Sequence, residues 1–217
     1  MMTITAVTLL FVLALPGIDE PPTSEKITSK AKSLFDGKTL KGWKKTDFYK
    51  PGDVTIKDGC IRLAEGSPMT GVTWAGEKLP KVNYELSWEA MRESGNDFFC
   101  GVTFPVKDAP CSWIVAGWSG NITGLSSING ADASENETQR YVKIENNKWY
   151  KFRVRVDDQK ISAWIHEEQI VDFNYSDASL SVRIEVEASR PLGFASFRSV
   201  GLIRNIELKE LGTTKNQ

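Results

Sequence analysis

The stretch from Val82 to Arg92 alternates apolar and polar side chains almost one for one, a rhythm that fits a half-buried β-strand and excludes an amphipathic helix. Tyr84, Leu86, Trp88 and Ala90 fall on one face, while Glu85, Ser87, Glu89 and Met91 fall on the other. The period returns in Trp149–Asp157, where Tyr150, Phe152, Val154 and Val156 oppose Lys151, Arg153 and Arg155. A slip of one residue would turn the apolar set out into water, so such strands specify their own register. Shorter runs of the same kind are Val54–Lys57, Cys60–Leu63, Phe98–Val106, Trp113–Trp118, Tyr141–Glu145, Ile161–His166, Gln169–Phe173, Ser181–Glu187, Gly193–Ser196 and Leu202–Leu211. Asp58-Gly59 between the first two is a hairpin signal. In the last run Arg204 shares a face with Leu202, Ile206 and Leu208, which marks a strand end or a paired charge. No helical stretches of crossover length separate these runs, so the expected fold is all-β, an antiparallel β-sandwich.

Composition narrows the partners. Apolar residues make up 41% of 217, enough for a core, and 28 acids against 27 bases leave a net charge of −1. That balance lacks the basic excess needed to neutralise phosphate backbones, so nucleic acid is excluded as a partner.

Residues Ile4 to Leu15 are almost wholly apolar and precede Asp19-Glu20-Pro21-Pro22. Such a run is too short to span a bilayer and suits the core of an export signal, although no Lys or Arg precedes it. The expected organisation is a signal peptide over 1–17, a polar linker over 18–32, one sandwich domain over 33–211 and a short disordered tail over 212–217. The processed chain is expected to be secreted or periplasmic, without a membrane anchor.

Cys60, Cys100 and Cys111 permit at most one disulfide; Cys100 and Cys111 either pair across a hairpin or stay as buried thiols. With His166 as the single histidine and no Cys-x-x-Cys, no metal and no cofactor is expected.

The longest break in the pattern is Ser119–Gln139, SGNITGLSSINGADASENETQ, rich in residues that favour turns. Long irregular segments in compact domains are usually functional or disordered, so this is the first place to seek a site.

Three segments together resemble a known family. Leu34–Trp43, LFDGKTLKGW, is similar to the opening signature of the 3-keto-disaccharide hydrolase-like domain. Trp149 to Trp164, WYKFRVRVDDQKISAW, resembles one of its central strands, and Gly201–Leu211, GLIRNIELKEL, its closing strand. The resemblance covers roughly residues 33–211 and implies a jelly-roll-like sandwich of the concanavalin A-like lectin/glucanase superfamily, in a divergent branch of planctomycete type. It further implies a concave sheet that meets carbohydrate, and hydrolase or lyase chemistry on glycosides, including 3-keto-glycosides. Many members carry a Glu-x-Gln element on a central strand; at that place this chain reads CSWIVAGW over Cys111–Trp118, with no acid.

Glycoside hydrolysis generally needs two carboxylates flanking the bond. The acids to test as catalytic groups are Glu89, on the outward face of its strand, Asp97 at the start of the next, and Glu135 in the loop. Trp118, Asn129, Asp132, Asn136, Glu137 and Arg140 are the candidates for substrate binding. Each has a plainer role beside the functional one: the acids as solvated groups, the loop's Ser and Asn as its own braces, and Trp118 as core. Three functions remain open, namely a glycoside-cleaving enzyme, a lectin-like binding module, and a structural or interaction sandwich.

Overall fold

Alternation becomes pairing in the structure, a computed structural model that describes residues 30–212. The expected export leader and most of the linker and tail lie outside the described residues. Among the described residues, the first strands are β1 (Lys32–Ser33), β2 (Trp43–Lys45), β3 (Val54–Lys57), β4 (Cys60–Leu63) and β5 (Met69–Trp74). They are followed by β6 (Tyr84–Gly95), β7 (Gly101–Phe104), β8 (Cys111–Ala116), β9 (Ile122–Ser126) and β10 (Arg140–Tyr141). The remainder are β11 (Trp149–Val156), β12 (Lys160–Ile165), β13 (Glu168–Asn174), β14 (Gly193–Phe197) and β15 (Ser199–Glu210). An eight-stranded sheet runs β13-β12-β11-β6-β15-β4-β3, with β1 added along β15. A seven-stranded sheet runs β10-β9-β8-β7-β14-β5-β2. All pairings among the described strands are antiparallel.

The alternating set closes the two layers on each other. Trp88 of β6 stacks on its cross-strand partner Phe152 at 5.5 Å between centroids. From the opposite sheet Trp113 and Phe194 meet it edge-on at 6.0 and 5.3 Å. Contacts of that geometry add about 0.5–1.5 kcal/mol each beyond the area they bury. Asp58 and Gly59, with φ of 49° and 76°, make the two-residue turn between Lys57 and Cys60, as the dipeptide predicts.

Sequence expectations change at several places, and the run expected over Tyr141–Glu145 keeps only Arg140–Tyr141 as a strand. Met69–Trp74 is a strand buried along its whole length, because Val72 and Trp74 face the core while Phe48 and Val186 cover Met69 outside. Ile122–Ser126 is a strand inside the supposed loop. Ser181–Glu187 is not a strand; a 3-10 helix occupies Ile184–Ser189 and leaves Ile184 at 87% exposure. Finally, β15 does not keep one parity. The register passes from Arg204↔Glu89 to Glu207↔Ser87, so an extra residue is accommodated at Asn205, whose φ is 52°. That bulge leaves Arg204 outside beside Glu89 and returns Ile206 and Leu208 to the core.

All three cysteines are buried and free. Cys111 stands opposite Phe104, four residues along the strand from Cys100, a separation of about 13 Å at the ordinary strand rise. A disulfide needs Cα atoms within about 7 Å, so this register rules that pairing out.

Candidate functional site

The central strands of the seven-stranded sheet divide their side chains cleanly. On β8, Cys111, Trp113 and Val115 enter the core, which leaves Ser112 and Ile114 on the outer face. Across the β8–β9 pairing Ser112 stands opposite Ser126, and Thr103 of β7 stands on the other side of Ser112. Ser112, Ser126 and Ile114 form the floor of a groove of about 250 Å³. Phe98, Phe197 and Met69 supply an apolar wall that Val186 of the 3-10 helix continues, and Glu185 with the preceding Arg183 completes the lining. The rings of Phe98 and Phe197 lie 5.7 Å apart. A hollow this size sits just below the range of about 300–1,000 Å³ usual for small-molecule sites, and its mostly apolar lining with few polar groups is typical of them.

Trp118 stands at the mouth, 37% exposed. It is carried on the turn Gly117–Gly120 between β8 and β9, where Ala116, Trp118 and Ser119 have φ of 55°, 49° and 63°. Left-handed backbone costs an L-residue roughly 1–2 kcal/mol, so something must hold the turn. Asp97 does this: its Oδ2 accepts the N–H of Ser119 at 2.8 Å and its Oδ1 the N–H of Phe98 at 2.8 Å. Asp97 is itself fixed, because its N–H donates to Ser199 Oγ at 3.0 Å and its carbonyl accepts Arg92 Nη1 at 3.1 Å. Arg92 is buried and also donates to Asn146 Oδ1 and the Ile144 carbonyl. Its desolvation lowers its pKa.

The rim opposite is an ion-pair cluster. Arg183 donates to Glu185 through Nη2 at 2.8 Å and to Asp132 Oδ2 through Nη1 at 2.5 Å. The hydrogen bonds from Arg183 hold Glu185 below the usual carboxylate range.

The sequence candidates therefore separate. Asp97 and Trp118 meet at the groove, and Asp132 reaches its edge through Arg183. Asn136 braces its own loop, donating to the carbonyls of Leu125 and Asp132 while its Oδ1 accepts Thr138 Oγ1. Asn129 caps a neighbouring turn by accepting the N–H of Ser179, and Arg140 donates to the carbonyls of Glu137 and Gln139. Glu135 and Glu137 are exposed and do not line the groove. Glu89 lies on the outer face of the other sheet, where it accepts Arg204 Nε at 2.9 Å, and that guanidinium stacks on Trp149 at 3.9 Å. Phe98, Phe197, Ser112, Ser126, Arg183 and Glu185 belong to the groove and were not singled out from sequence. Alternation in CSWIVA does signal Ser112 as outward-facing; nothing local signals Arg183 or Glu185, because the 3-10 turn breaks the strand pattern that hid them.

Comparison with known proteins places this geometry. No curated protein matches the chain at significance. Among solved structures the sandwich is similar to a putative glycosyl hydrolase from Parabacteroides distasonis, with 15% identity, TM-score 0.53, and 84% of this chain and 94% of that one covered. It is also similar to domain 4 of an extracellular arabinanase from Geobacillus stearothermophilus in complex with arabinotriose, with 16% identity, TM-score 0.54, and 88% and 96% covered. A carbohydrate binding module from Bacillus subtilis matches with 11% identity, TM-score 0.53, and 78% and 96% covered. At these identities the likeness shows the fold. The profile of the 3-keto-alpha-glucoside-1,2-lyase-like domain matches residues 30–209, and the chain belongs to that family.

Proposed function

We propose that this is a carbohydrate-active domain whose groove on the seven-stranded sheet holds a saccharide. The observation that carries the reading is Trp118, a large ring at the groove mouth on a backbone turn held out of its ordinary conformation by Asp97. Backbone of that kind persists only where the surroundings fix it, and it gathers at ligand clamps. An indole face against the C–H side of a sugar ring lets both shed water. Membership of the family supports the same class, as do neighbours that are a carbohydrate binding module and an arabinotriose complex.

Recognition without turnover is the function this geometry supports best. Hydrolysis by paired carboxylates needs a proton donor held at raised pKa, and Glu185, the second acid of the groove, is shifted the other way by Arg183. One observation favours a catalytic alternative: Asp97 is a buried carboxylate on the groove wall. It could take the proton from the carbon beside the keto group of a 3-keto-glycoside while the glycosidic oxygen leaves with its electron pair, an elimination that needs one base. Export, with removal of residues 1–17, is part of the proposal, and N-terminal sequencing of the protein recovered outside the cytoplasm tests it.

The deciding experiment titrates the protein by calorimetry with arabinotriose, trehalose, lactose and the 3-keto forms of the last two, and follows product release by chromatography. Binding that is lost in Trp118→Ala, with no product, establishes the module. Product released by wild type establishes the lyase, and its loss in Asp97→Asn at saturating sugar, with binding retained, assigns Asp97 as the base. No heat and no product with any sugar leaves the structural or interaction role.

A further inference from the structure

The groove floor carries hydroxyl groups whose hydrogen-bonding capacity the protein does not use. Ser126 is 1% exposed, faces the groove, and its Oγ is buried with no hydrogen-bond partner among the described residues. Its cross-strand partner Ser112, also 1% exposed, shares one hydrogen bond at 2.8 Å with Thr103 Oγ1. A pair of hydroxyls has two protons and needs only one for the bond between them, so one donor of that pair is also spare. A similar pair elsewhere on this sheet is completed: Thr46 and Thr73 share a bond, and Thr73 donates onward to the Ala188 carbonyl. The floor of the groove lacks such an outlet. A buried hydroxyl without a partner is costly, and native structures keep few of them.

Resting on the reading of the groove as a saccharide site, we infer that Ser126 and Ser112 are the residues that read the ligand, by bonding one hydroxyl directed at the sheet. Register partners stand side by side, with Cβ atoms about 4.5–5.5 Å apart, so a single oxygen between them can accept from one and donate to the other. The apolar groups, Phe98 and Phe197 on the wall and Trp118 at the mouth, suit the C–H faces of the same ring. The volume of about 250 Å³ gives room for a sugar ring on this floor. The ligand class is a neutral saccharide that sets one ring in the groove with a hydroxyl pointing down.

Calorimetric titration of wild type, Ser126→Ala and Ser126→Cys with arabinotriose, trehalose, lactose and their matching deoxy-sugars tests this, alongside thermal melting of each protein. The expected result is an affinity for the best probe about 5- to 30-fold weaker in Ser126→Ala, with a melting temperature equal to or above wild type, because an unpartnered hydroxyl has been removed. One deoxy-sugar should bind both proteins alike. Undiminished affinity in Ser126→Ala with binding still dependent on Trp118 would overturn the inference and leave the groove reading intact. A marked drop in melting temperature would overturn it too, since the hydroxyl would then be a structural bond. Absence of binding by wild type to every probe overturns the groove reading and this inference with it.

Discussion

Asp97 accepts the backbone N–H of Ser119 at 2.8 Å across 22 residues of chain, and so ties the approach to β7 to the turn that presents Trp118. Its other carboxylate oxygen takes the N–H of Phe98, so one side chain positions two aromatic residues of the groove. Replacement by Asn keeps the size and leaves one oxygen where two accept. Asp97→Asn should lose about 1 kcal/mol of stability, the net worth of one part-buried hydrogen bond. The loosened turn should also weaken sugar binding. Denaturant titration followed by tryptophan emission reads the first effect and calorimetry the second.

Trp118→Ala removes a ring that is 37% exposed, on a turn held by Asp97, so the protein stays folded. The buried part of the indole should cost about 1–3 kcal/mol of stability, while saccharide affinity falls at least tenfold, as expected for stacking worth upward of about 1.4 kcal/mol. Equal affinity in the two proteins would place the ligand elsewhere.

Glu89→Gln is a control on the opposite sheet. Glu89 pairs with Arg204, and the two side chains are 22% and 37% exposed, so solvent screens the pair and its worth is at most about 1 kcal/mol. Binding and any turnover should match wild type. Loss of either with the fold intact would move the site to the eight-stranded sheet.

Asp36, in the opening LFDGKTLKGW segment, accepts the N–H groups of Lys38 and Thr39 and the Thr39 hydroxyl, and these bonds lower its pKa from 3.8 to about 2. A carboxylate depressed in the folded state contributes stability above its unfolded pKa and loses it as pH falls toward the folded value. The stability difference between wild type and Asp36→Asn should therefore be complete near pH 5 and shrink between about pH 4 and pH 2. Urea melts at pH 5, 4, 3 and 2 measure it; a difference that stays constant over that range contradicts the assignment.

Burial raises the pKa of all three thiols, that of Cys111 to about 12. The native protein should resist a thiol reagent such as dithionitrobenzoate at pH 8 and react at three sites once unfolded in guanidinium. Prompt labelling of the native state would mean that the core opens easily.

The half-buried strands were readable because one face met the core and the other met water. Tyr84–Gly95 and Trp149–Val156 show this, with inward residues near zero exposure and outward ones part exposed. The strands beside the groove were not, and for the same reason. Met69–Trp74 and Ile122–Ser126 are covered on both faces, so their sequences carry no alternation to detect. Val182, Ile184 and Val186 misled in the opposite way, since equal spacing put them on one strand face while the 3-10 turn buries Val186 and exposes Ile184. Of the site, Asp97 was found as an acid at the start of a strand and Trp118 because it adjoins the long break in the pattern. Ser126 lay within the supposed loop, and its unpartnered hydroxyl is a property of three-dimensional neighbours.

Lys32 pairs with Leu208 and Ser33 with Glu207, so the first and last strands of the domain run side by side in the eight-stranded sheet. The described chain thus both enters and leaves through the layer behind the groove, so a linker grafted at Lys32 or Glu210 starts from the sheet that does not carry Trp118.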